Sequence, residues 1–186
     1  KEFHWNCVKK LLRYLQHTKS IGLLLEPTHT DYAELCCYAD SDWASDKKSR
    51  KSTSGYIMFL NGCPVYWQVR KQNFISCSFT EAQYACVSDA CNSLTWFDAL
   101  ITDIWTNQIQ PITIMEDNES VVYISNNRFT GSRSRHIDIC YKNIKQLVKQ
   151  GFIKLQYVST SEQVADLLNK PLSTAQHEYC TRRCAL

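Results

Sequence analysis

The sequence predicts an α/β domain built on a five-stranded mixed sheet, with three antiparallel strands followed by two parallel strands and helices on both faces. Three strand-like segments come first, and an Asn-Gly turn separates the second from the third. Later strand-like segments alternate with helical patterns, which is typical of parallel strands joined by helical crossovers. Such a sheet brings the ends of its first and fourth strands side by side.

The individual elements follow from the period of the apolar residues. We predict strands at 33–39, 55–60, from 64, at 112–116 and at 152–158. Helices are predicted at 2–17, from Thr80, at 119–125, at 137–149 and from Thr160. Thr80-x-x-Gln83 and Thr160-x-x-Gln163 each match a capping box, in which the two side chains bond each other's backbone N–H. The predicted order is therefore βββ-α-β-α-α-β-α.

The chain divides into a connection segment at 1–30, with a helix and a short strand at Ile21–Leu25, and a main domain at 31–186. A length of 186 residues with 44% apolar content suits one domain with a sizeable core. The first residue is Lys, so we expect a piece of a longer protein. No apolar run approaches the roughly 18 residues that a membrane span needs, so no membrane partner is expected.

Ten cysteines raise the question of disulfides or zinc. None forms a C-x-x-C pair, and most lie within apolar segments, which favours reduced, buried thiols in an intracellular protein. Cys180 and Cys184, one helical turn apart, are the pair that could differ. Trp43, Trp67, Trp96 and Trp105 fall in predicted strands and helices, so we expect them in the core rather than stacked on bases.

Four acidic residues carry the strongest functional indication. Asp40 and Asp117 end predicted strands, while Glu81 and Asp166 lie near the starts of predicted helices. If the four carboxylates converge, their charges raise one another's pKa values unless cations compensate them. Oxygen-only ligands favour Mg²⁺ or Mn²⁺ over zinc, and two such ions about 3.5–4 Å apart can activate a water against a phosphodiester. Each acid taken alone is better explained as an ordinary surface or helix-capping carboxylate, but the four together, in this order of elements, favour a metal site.

Basic side chains flank the predicted acidic site, although the net charge is only +3. One group, which includes Arg50 and Lys51, lies between the first two strands, and Arg133 lies in the loop before the third long helix. Basic groups suit a phosphate backbone, but the first group could also be a solvated turn. Asn118 and Ser120, just after Asp117, are candidate donors to a nucleic-acid substrate.

Six motifs support a specific family resemblance. They are Tyr38-Ala39-Asp40-Ser41-Asp42-Trp43, Lys51-Ser52-Thr53-Ser54-Gly55-Tyr56, Thr80-Glu81-Ala82-Gln83-Tyr84, Glu116-Asp117-Asn118-Glu119-Ser120, Ser134-Arg135-His136-Ile137-Asp138 and Ala165-Asp166-Leu167-Leu168-Asn169-Lys170-Pro171. In this order they resemble the ribonuclease H domain of Ty1/copia-type retrotransposon polyproteins. The leading segment is similar to the stretch that joins reverse transcriptase to that domain.

The resemblance implies a ribonuclease H-like fold and hydrolysis of the RNA strand of RNA–DNA hybrids, with two Mg²⁺ ions that Mn²⁺ can replace. It implies that Asp40 bridges both metals, that Glu81 and Asp117 hold the ion near the leaving group, and that Asp166 holds the other ion. Arg135 and His136 belong to a family motif and become candidate substrate contacts. The implied partner is the reverse transcriptase domain of the same polyprotein. The implied location is cytoplasmic, in virus-like particles, or nuclear if the domain is domesticated.

The chain departs from the family pattern at a few positions. The family commonly has Ser-Ser-Thr-Glu-Ala-Glu-Tyr, where Phe79 and Gln83 now replace a Ser and the second Glu. Glu116 stands where Cys is usual, and strand alternation predicts that it points away from Asp117. Asn169 replaces a Thr. Two other functions remain open: a domain that binds hybrids or a protein partner without cutting, and a transposase or integrase relative, which these motifs fit poorly.

Overall fold

The structure, a computed structural model, describes residues 2–23, 25–28, 31–104, 108–126 and 135–184, with only the backbone described at 135–137. One five-stranded sheet organises these residues, in the strand order β3-β2-β1-β4-β5. The strands are β1 (Leu35–Asp42), β2 (Thr53–Leu60), β3 (Cys63–Lys71), β4 (Ile112–Glu116) and β5 (Ile153–Tyr157). This is the mixed sheet that the sequence predicts.

Six α-helices accompany the sheet in the described part of the chain. They are α1 (Glu2–Thr18), α2 (Phe79–Ile104), α3 (Glu119–Asn126), α4 (Arg135–Lys149), α5 (Asp166–Asn169) and α6 (Thr174–Arg183). A single 3₁₀ turn, Thr160–Glu162, precedes α5. None of the described helices is long and apolar enough to cross a membrane.

Strand pairing confirms the predicted topology. β1 and β2 run antiparallel, as do β2 and β3, which join through Asn61 and Gly62 in the left-handed conformation that a tight hairpin requires. β1 pairs in parallel with β4, and β4 pairs in parallel with β5. Tyr38 lies opposite Met115 in this register, so Asp40 and Asp117 follow at the same edge of the sheet.

Helices cover both faces of the sheet, as predicted. On one face, buried residues of α2, α3 and α4 pack against β1, β2, β4 and β5 in the larger core, with Leu94, Val121 and Ile144 at its centre. On the other face, Val164, Ala165 and residues of α5 pack against Tyr38 and the outer side of β2. The buried end of β1 therefore lies between two helical layers.

Several predicted boundaries are wrong. The short strand predicted at Ile21–Leu25 does not form in the described residues of that range. β1 continues to Asp42, so Asp40 lies within the strand rather than after it. The helix predicted from Thr160 is a 3₁₀ turn followed by the separate four-residue helix α5. The domain boundary between residues 30 and 31 stays a prediction, although α1 has no buried residue.

The expectation that the tryptophans lie in the core is wrong at three positions. Trp43, Trp67 and Trp96 are 44%, 50% and 61% exposed, respectively, and Trp105 lies outside the described residues. Trp67 lies on the edge strand β3, where it lines an open cavity together with Leu167 and Leu168 of α5 and stays half exposed. Strand and helix periodicity do not reveal which face of an element is covered.

The cysteines are predicted to be free, buried thiols, and burial holds for six of them, whereas Cys7 and Cys77 are exposed. All ten are unpaired, and Cys180 and Cys184 are both buried without forming a disulfide. Burial raises the pKa of the Cys184 thiol to about 11, with the neighbouring Cys180 adding to the shift. The pair therefore serves packing at the end of α6.

Candidate active site

Asp40 is the centre of the candidate site. It is completely buried in β1 and pairs across the strand with Gly55 of β2. Its Oδ1 accepts a hydrogen bond from Gln83 Nε2 at 2.9 Å. Its Oδ2 accepts from Asn169 Nδ2 and contacts Lys170 Nζ, each at 2.9 Å. Both carboxylate oxygens therefore have at least one side-chain donor.

A glycine allows α5 to reach this carboxylate. A Cβ added at Gly55 would lie 2.9 Å from the Cβ of Leu168, closer than packed atoms tolerate. Because Gly55 lacks a side chain, α5 lies directly against β2. This close approach brings Asp166 and Lys170, one helical turn apart, beside Asp40.

Asp166 and Lys170 form an ion pair next to Asp40. Lys170 Nζ lies 2.8 Å from Asp166 Oδ1, and Asp166 is almost fully buried. Burial raises the pKa of Asp166 to about 6; the hydrogen bond from Lys170 opposes the shift, and the charges of Asp40 and Asp117 add to it. Although its own burial works against it, Lys170 has a pKa above the usual range because Asp40 and Asp166 stabilise its charged form.

Asp117 completes a group of three aspartates. Its Oδ2 accepts a hydrogen bond from Thr160 Oγ1 at 2.9 Å, while its Oδ1 is buried with no hydrogen-bond partner in the described structure. Burial raises the pKa of Asp117, and the charge of Asp40 raises it further. The sequence predicts that four acids converge; in the structure Asp40, Asp117 and Asp166 influence one another electrostatically, and their joint role as a site stays a prediction.

The structure does not bring Glu81 into this group. Its Oε2 accepts the backbone N–H of Cys77 at 2.7 Å, and its own N–H donates to Ser78 Oγ at 3.2 Å. Ser78 is therefore the cap of α2, and the capping box predicted at Thr80-x-x-Gln83 is wrong. Glu81 stabilises the helix start, where a negative charge also interacts favourably with the helix dipole.

The second predicted capping box, Thr160-x-x-Gln163, is also wrong. Thr160 donates to Asp117 instead, and Gln163 is completely buried between the two central strands. Its Nε2 donates to the backbone oxygen of Ala39 at 3.1 Å, and its Oε1 accepts from the N–H of Ala165 at 3.3 Å. Gln163 thus ties the segment before α5 to the end of β1.

Glu116 is a buried acid beside the site. It is fully buried and, by strand alternation, faces the larger core with Ile112 and Ile114, as the expectation that it points away from Asp117 requires. Its Oε1 accepts the N–H of Asn118 at 3.1 Å, while Oε2 has no partner among the described residues. Burial raises its pKa well above the usual range, and the charge of Asp117 adds to the shift.

The β1–β2 loop holds two predicted substrate contacts. Arg50 is exposed and adopts a left-handed backbone (φ 56°), and Lys51 is half-buried. Asp46 organises the loop: its backbone oxygen accepts from the N–H of Arg50 at 2.7 Å, and its carboxylate accepts from Lys48 N–H and pairs with Lys71. The loop is thus a hydrogen-bonded turn that exposes Arg50, and a role for Arg50 and Lys51 in binding substrate stays a prediction.

The other predicted substrate contacts are described only in part. Asn118 caps α3, because its Oδ1 accepts the N–H of Ser120 at 3.0 Å; Ser120 itself is exposed at the first turn. Arg133 and the side chains of Arg135 and His136 lie outside the described residues. Their substrate roles stay predictions.

The predicted pair of Mg²⁺ ions does not fit the residues as folded. Within the described ranges, no three histidine, cysteine, aspartate or glutamate side chains are placed to hold a metal ion together. Asp40 is completely buried with a donor on each oxygen, Lys170 supplies a positive charge, and Glu81 is turned to its helix start. The hard oxygen donors would suit Mg²⁺ or Mn²⁺, but the fourth group at Asp40 is the amide of Gln83.

Sequence reasoning missed the polar partners of the three aspartates. Gln83 was visible as a departure from the family pattern, and Asn169 and Lys170 lie within its last motif. For Thr160 the sequence predicted a different role, that of a helix cap. Motif position indicated that these residues matter, but only the fold shows which atoms they contact.

No protein-family model matches the chain. Among solved structures, LC11-RNase H1 in complex with an RNA/DNA hybrid superposes with a TM-score of 0.56 at 12% identity, covering 73% of this chain and 94% of that one. The sheet order, the helical layers and this likeness define a ribonuclease H-like fold. The fold confirms the predicted class.

Sequence relatives are more specific. The chain is 36% identical over 180 residues to the retrovirus-related Pol polyprotein from transposon RE2 of Arabidopsis thaliana, a match that covers 97% of this chain and 12% of the relative. It is 37% identical over 172 residues to the corresponding polyprotein from transposon RE1 of the same plant, covering 92% of this chain and 12% of the relative. The chain belongs to the ribonuclease H-like region of copia-type retrotransposon Pol polyproteins, and it spans about an eighth of the length of these relatives.

Proposed function

We propose that this chain is the domain of a retroelement polyprotein that hydrolyses the RNA strand of RNA–DNA hybrids. The observation that carries the proposal is the placement of three aspartates in a ribonuclease H-like fold: Lys170 contacts both Asp40 and Asp166, and the register of β1 and β4 puts Asp117 at the same sheet edge as Asp40. Membership of the Pol polyprotein family supports the substrate class, since reverse transcription generates such hybrids. The predicted requirement for Mg²⁺ or Mn²⁺ stays part of the proposal, and it needs contacts at Asp40 other than those of the described structure.

The contacts of the residues around the three aspartates indicate what each of them contributes to this function. Thr160 orients Asp117 through its Oδ2, which leaves the buried Oδ1 of Asp117 as an acceptor for a water or a substrate hydroxyl. Gln163 holds the segment before α5 against β1, so that Asp166 keeps its place. Arg50 and Lys51, on the neighbouring loop, supply positive charge suited to a phosphate backbone.

A second candidate function is binding of the hybrid without efficient cleavage. The contacts of Asp40 favour it, because Gln83, Asn169 and Lys170 already satisfy both oxygens of the carboxylate that the family resemblance places between the metals. In this case the domain would hold hybrid in the polyprotein, and cutting would be slow.

One assay separates the two functions and tests the integrase alternative. The purified chain is incubated with labelled RNA–DNA hybrid, matched double-stranded RNA and double-stranded DNA, each in Mg²⁺, Mn²⁺ or EDTA. Asp40→Asn is compared with Asp103→Asn, a control at an exposed position of α2. Hybrid-only cleavage that EDTA and Asp40→Asn abolish, and Asp103→Asn does not, supports the first function. Binding of hybrid without cleavage supports the second, and DNA strand transfer would overturn both.

The proposed protein partner is the reverse transcriptase domain of the same polyprotein. α1 supports this proposal, because its apolar stripe, including Val8, Leu11 and Leu15, is 43–57% exposed. An exposed apolar stripe of this kind is typical of a surface that another domain covers. We further propose a cytoplasmic location in virus-like particles, or a nuclear one if the domain is domesticated. Comparing hybrid affinity of the chain with and without a preceding reverse transcriptase domain tests the partnership.

A further inference from the structure

Gln83 occupies an unusual place for a glutamine amide. It is completely buried, and its Nε2 donates to Asp40 while its Oε1 is buried without a partner in the described structure. A buried polar atom without a partner costs free energy, so packing alone does not explain the residue. The unpartnered oxygen lies on a side chain that already touches the central carboxylate of the site.

The sequence pattern points to the same residue. Residues 81 and 83 lie two apart at the start of α2, and the first is a carboxylate while the second is a neutral amide. The structure turns Glu81 to the helix start and turns Gln83 to Asp40. Of the two positions, residue 83 is therefore the one that adjoins the aspartates.

Lys170 balances the negative charge of the carboxylates beside Gln83. Its ammonium contacts Asp40 at 2.9 Å and Asp166 at 2.8 Å, and its side chain is only 24% exposed. A cation held between two carboxylates compensates their repulsion in the way that a bound metal ion would. Because residue 83 is a neutral amide, it adds no further negative charge beside the ammonium of Lys170, which already contacts Asp40 and Asp166.

We propose that Gln83 occupies a ligand position of a divalent-cation site, and that its amide and the Lys170 ammonium leave the chain with weak affinity for Mg²⁺ and Mn²⁺. A carboxylate at position 83 would replace a donor facing Asp40 with a fourth acidic group and favour a divalent cation over the ammonium. The inference rests on the proposed function in one respect: it takes Asp40, Asp117 and Asp166 as the acidic groups of the active site.

Mn²⁺ binding to the full chain, followed by electron paramagnetic resonance of the free ion, tests the proposal without a nucleic-acid substrate. We expect Gln83→Glu to tighten Mn²⁺ binding by at least about tenfold, because a full negative charge a few ångströms from a divalent ion is strongly favourable even when screened. Gln83→Glu combined with Asp40→Asn should lose the gain. Unchanged affinity in folded Gln83→Glu would overturn the proposal.

Two variants of the natural site keep the proposal testable if Gln83→Glu does not fold. Lys170→Gln should tighten Mn²⁺ binding, since the competing ammonium is gone, and Glu81→Gln should leave the affinity unchanged. Loss of Mn²⁺ binding in Glu81→Gln would instead assign the ligand position to residue 81, and unchanged binding in Lys170→Gln would refute the role of the ammonium. The readout is metal binding and not cleavage. If the variants gain Mn²⁺ affinity but the chain neither binds nor cleaves hybrids, the proposed function is wrong and this inference is still supported.

Discussion

Lys170 Nζ lies 2.9 Å from Oδ2 of Asp40, a carboxylate that is completely buried in the central strand of the sheet. The same ammonium contacts Asp166 one helical turn earlier, so it joins α5 to β1. Removing one partner of a buried pair leaves an uncompensated charge, which is far more costly than the net value of the pair.

We therefore predict that Lys170→Gln destabilises the protein in the absence of divalent cations. The expected loss is about 2–4 kcal/mol of unfolding free energy, because the buried carboxyl groups of Asp40 and Asp166 lose the ammonium that contacts both of them. Urea denaturation in EDTA measures it. Lys142→Gln is the matched control, since Lys142 forms an exposed pair with Asp138 within one helix and should cost at most about 0.5 kcal/mol. Equal losses in the two variants would contradict the prediction.

Glu116 gives a prediction about pH. Its folded pKa lies well above the ordinary 4.5, so the folded state keeps a proton that the unfolded state releases as the pH rises. Between the two pKa values the folded state binds more protons, and stability falls with rising pH. Glu116→Gln removes this dependence, so its stability relative to the natural chain should grow by up to about 1.4 kcal/mol per pH unit above the ordinary pKa.

Denaturation in EDTA at pH values from 4 to 8 checks this expectation about Glu116. Below its ordinary pKa both states are protonated, and the natural chain and Glu116→Gln should be similar in stability. Glu119→Gln, at an exposed position in the next helix, is the control and should show no comparable trend. A stability difference that is flat or shrinks with rising pH would rule out the buried, protonated acid.

The start of α2 gives a prediction that separates two capping residues. Ser78 accepts the N–H of Glu81 in the structure, whereas the sequence pattern pointed to Thr80. Ser78→Ala should therefore lower the unfolding free energy by about 1 kcal/mol, and Thr80→Ala should have a smaller effect. Thermal and urea denaturation of the two variants measure the difference. A larger loss in Thr80→Ala would restore the original capping assignment.

The cysteines should differ sharply in reactivity. Cys7 and Cys77 are exposed, whereas Cys37, Cys86 and Cys91 are completely buried. Burial raises the pKa of Cys91 to about 12, so its reactive thiolate is scarce at neutral pH. Iodoacetamide at pH 7.5, followed by peptide mass spectrometry, should modify Cys7 and Cys77 first and the buried three only after denaturation. Rapid modification of Cys37 or Cys86 in the native protein would contradict the described core.

The two glutamines of the predicted capping boxes have partners that the sequence could not predict. Gln83 and Gln163 both stand three residues after a threonine, a spacing that local helix rules interpret as a cap. In the folded protein, Gln83 donates to Asp40 and Gln163 to the backbone of Ala39, a contact across 124 residues of chain. Local spacing could not predict these bonds, because the strand they reach is distant in sequence.

The sequence by itself determined the order of elements, the mixed sheet with helices on both faces, and the family. These features could be predicted because the period of apolar residues and the turn residues depend on local sequence. The order of the motifs can likewise be compared with a family without knowing the fold. It also predicted four converging acids, of which Asp40, Asp117 and Asp166 influence one another in the structure. Only the tertiary structure decided that Glu81 belongs to a helix start, that Gln83 faces Asp40, and that Lys170 lies between two acids. The physical reason is that a side chain's partner depends on which elements pack together, and burial then makes each of those polar contacts obligatory.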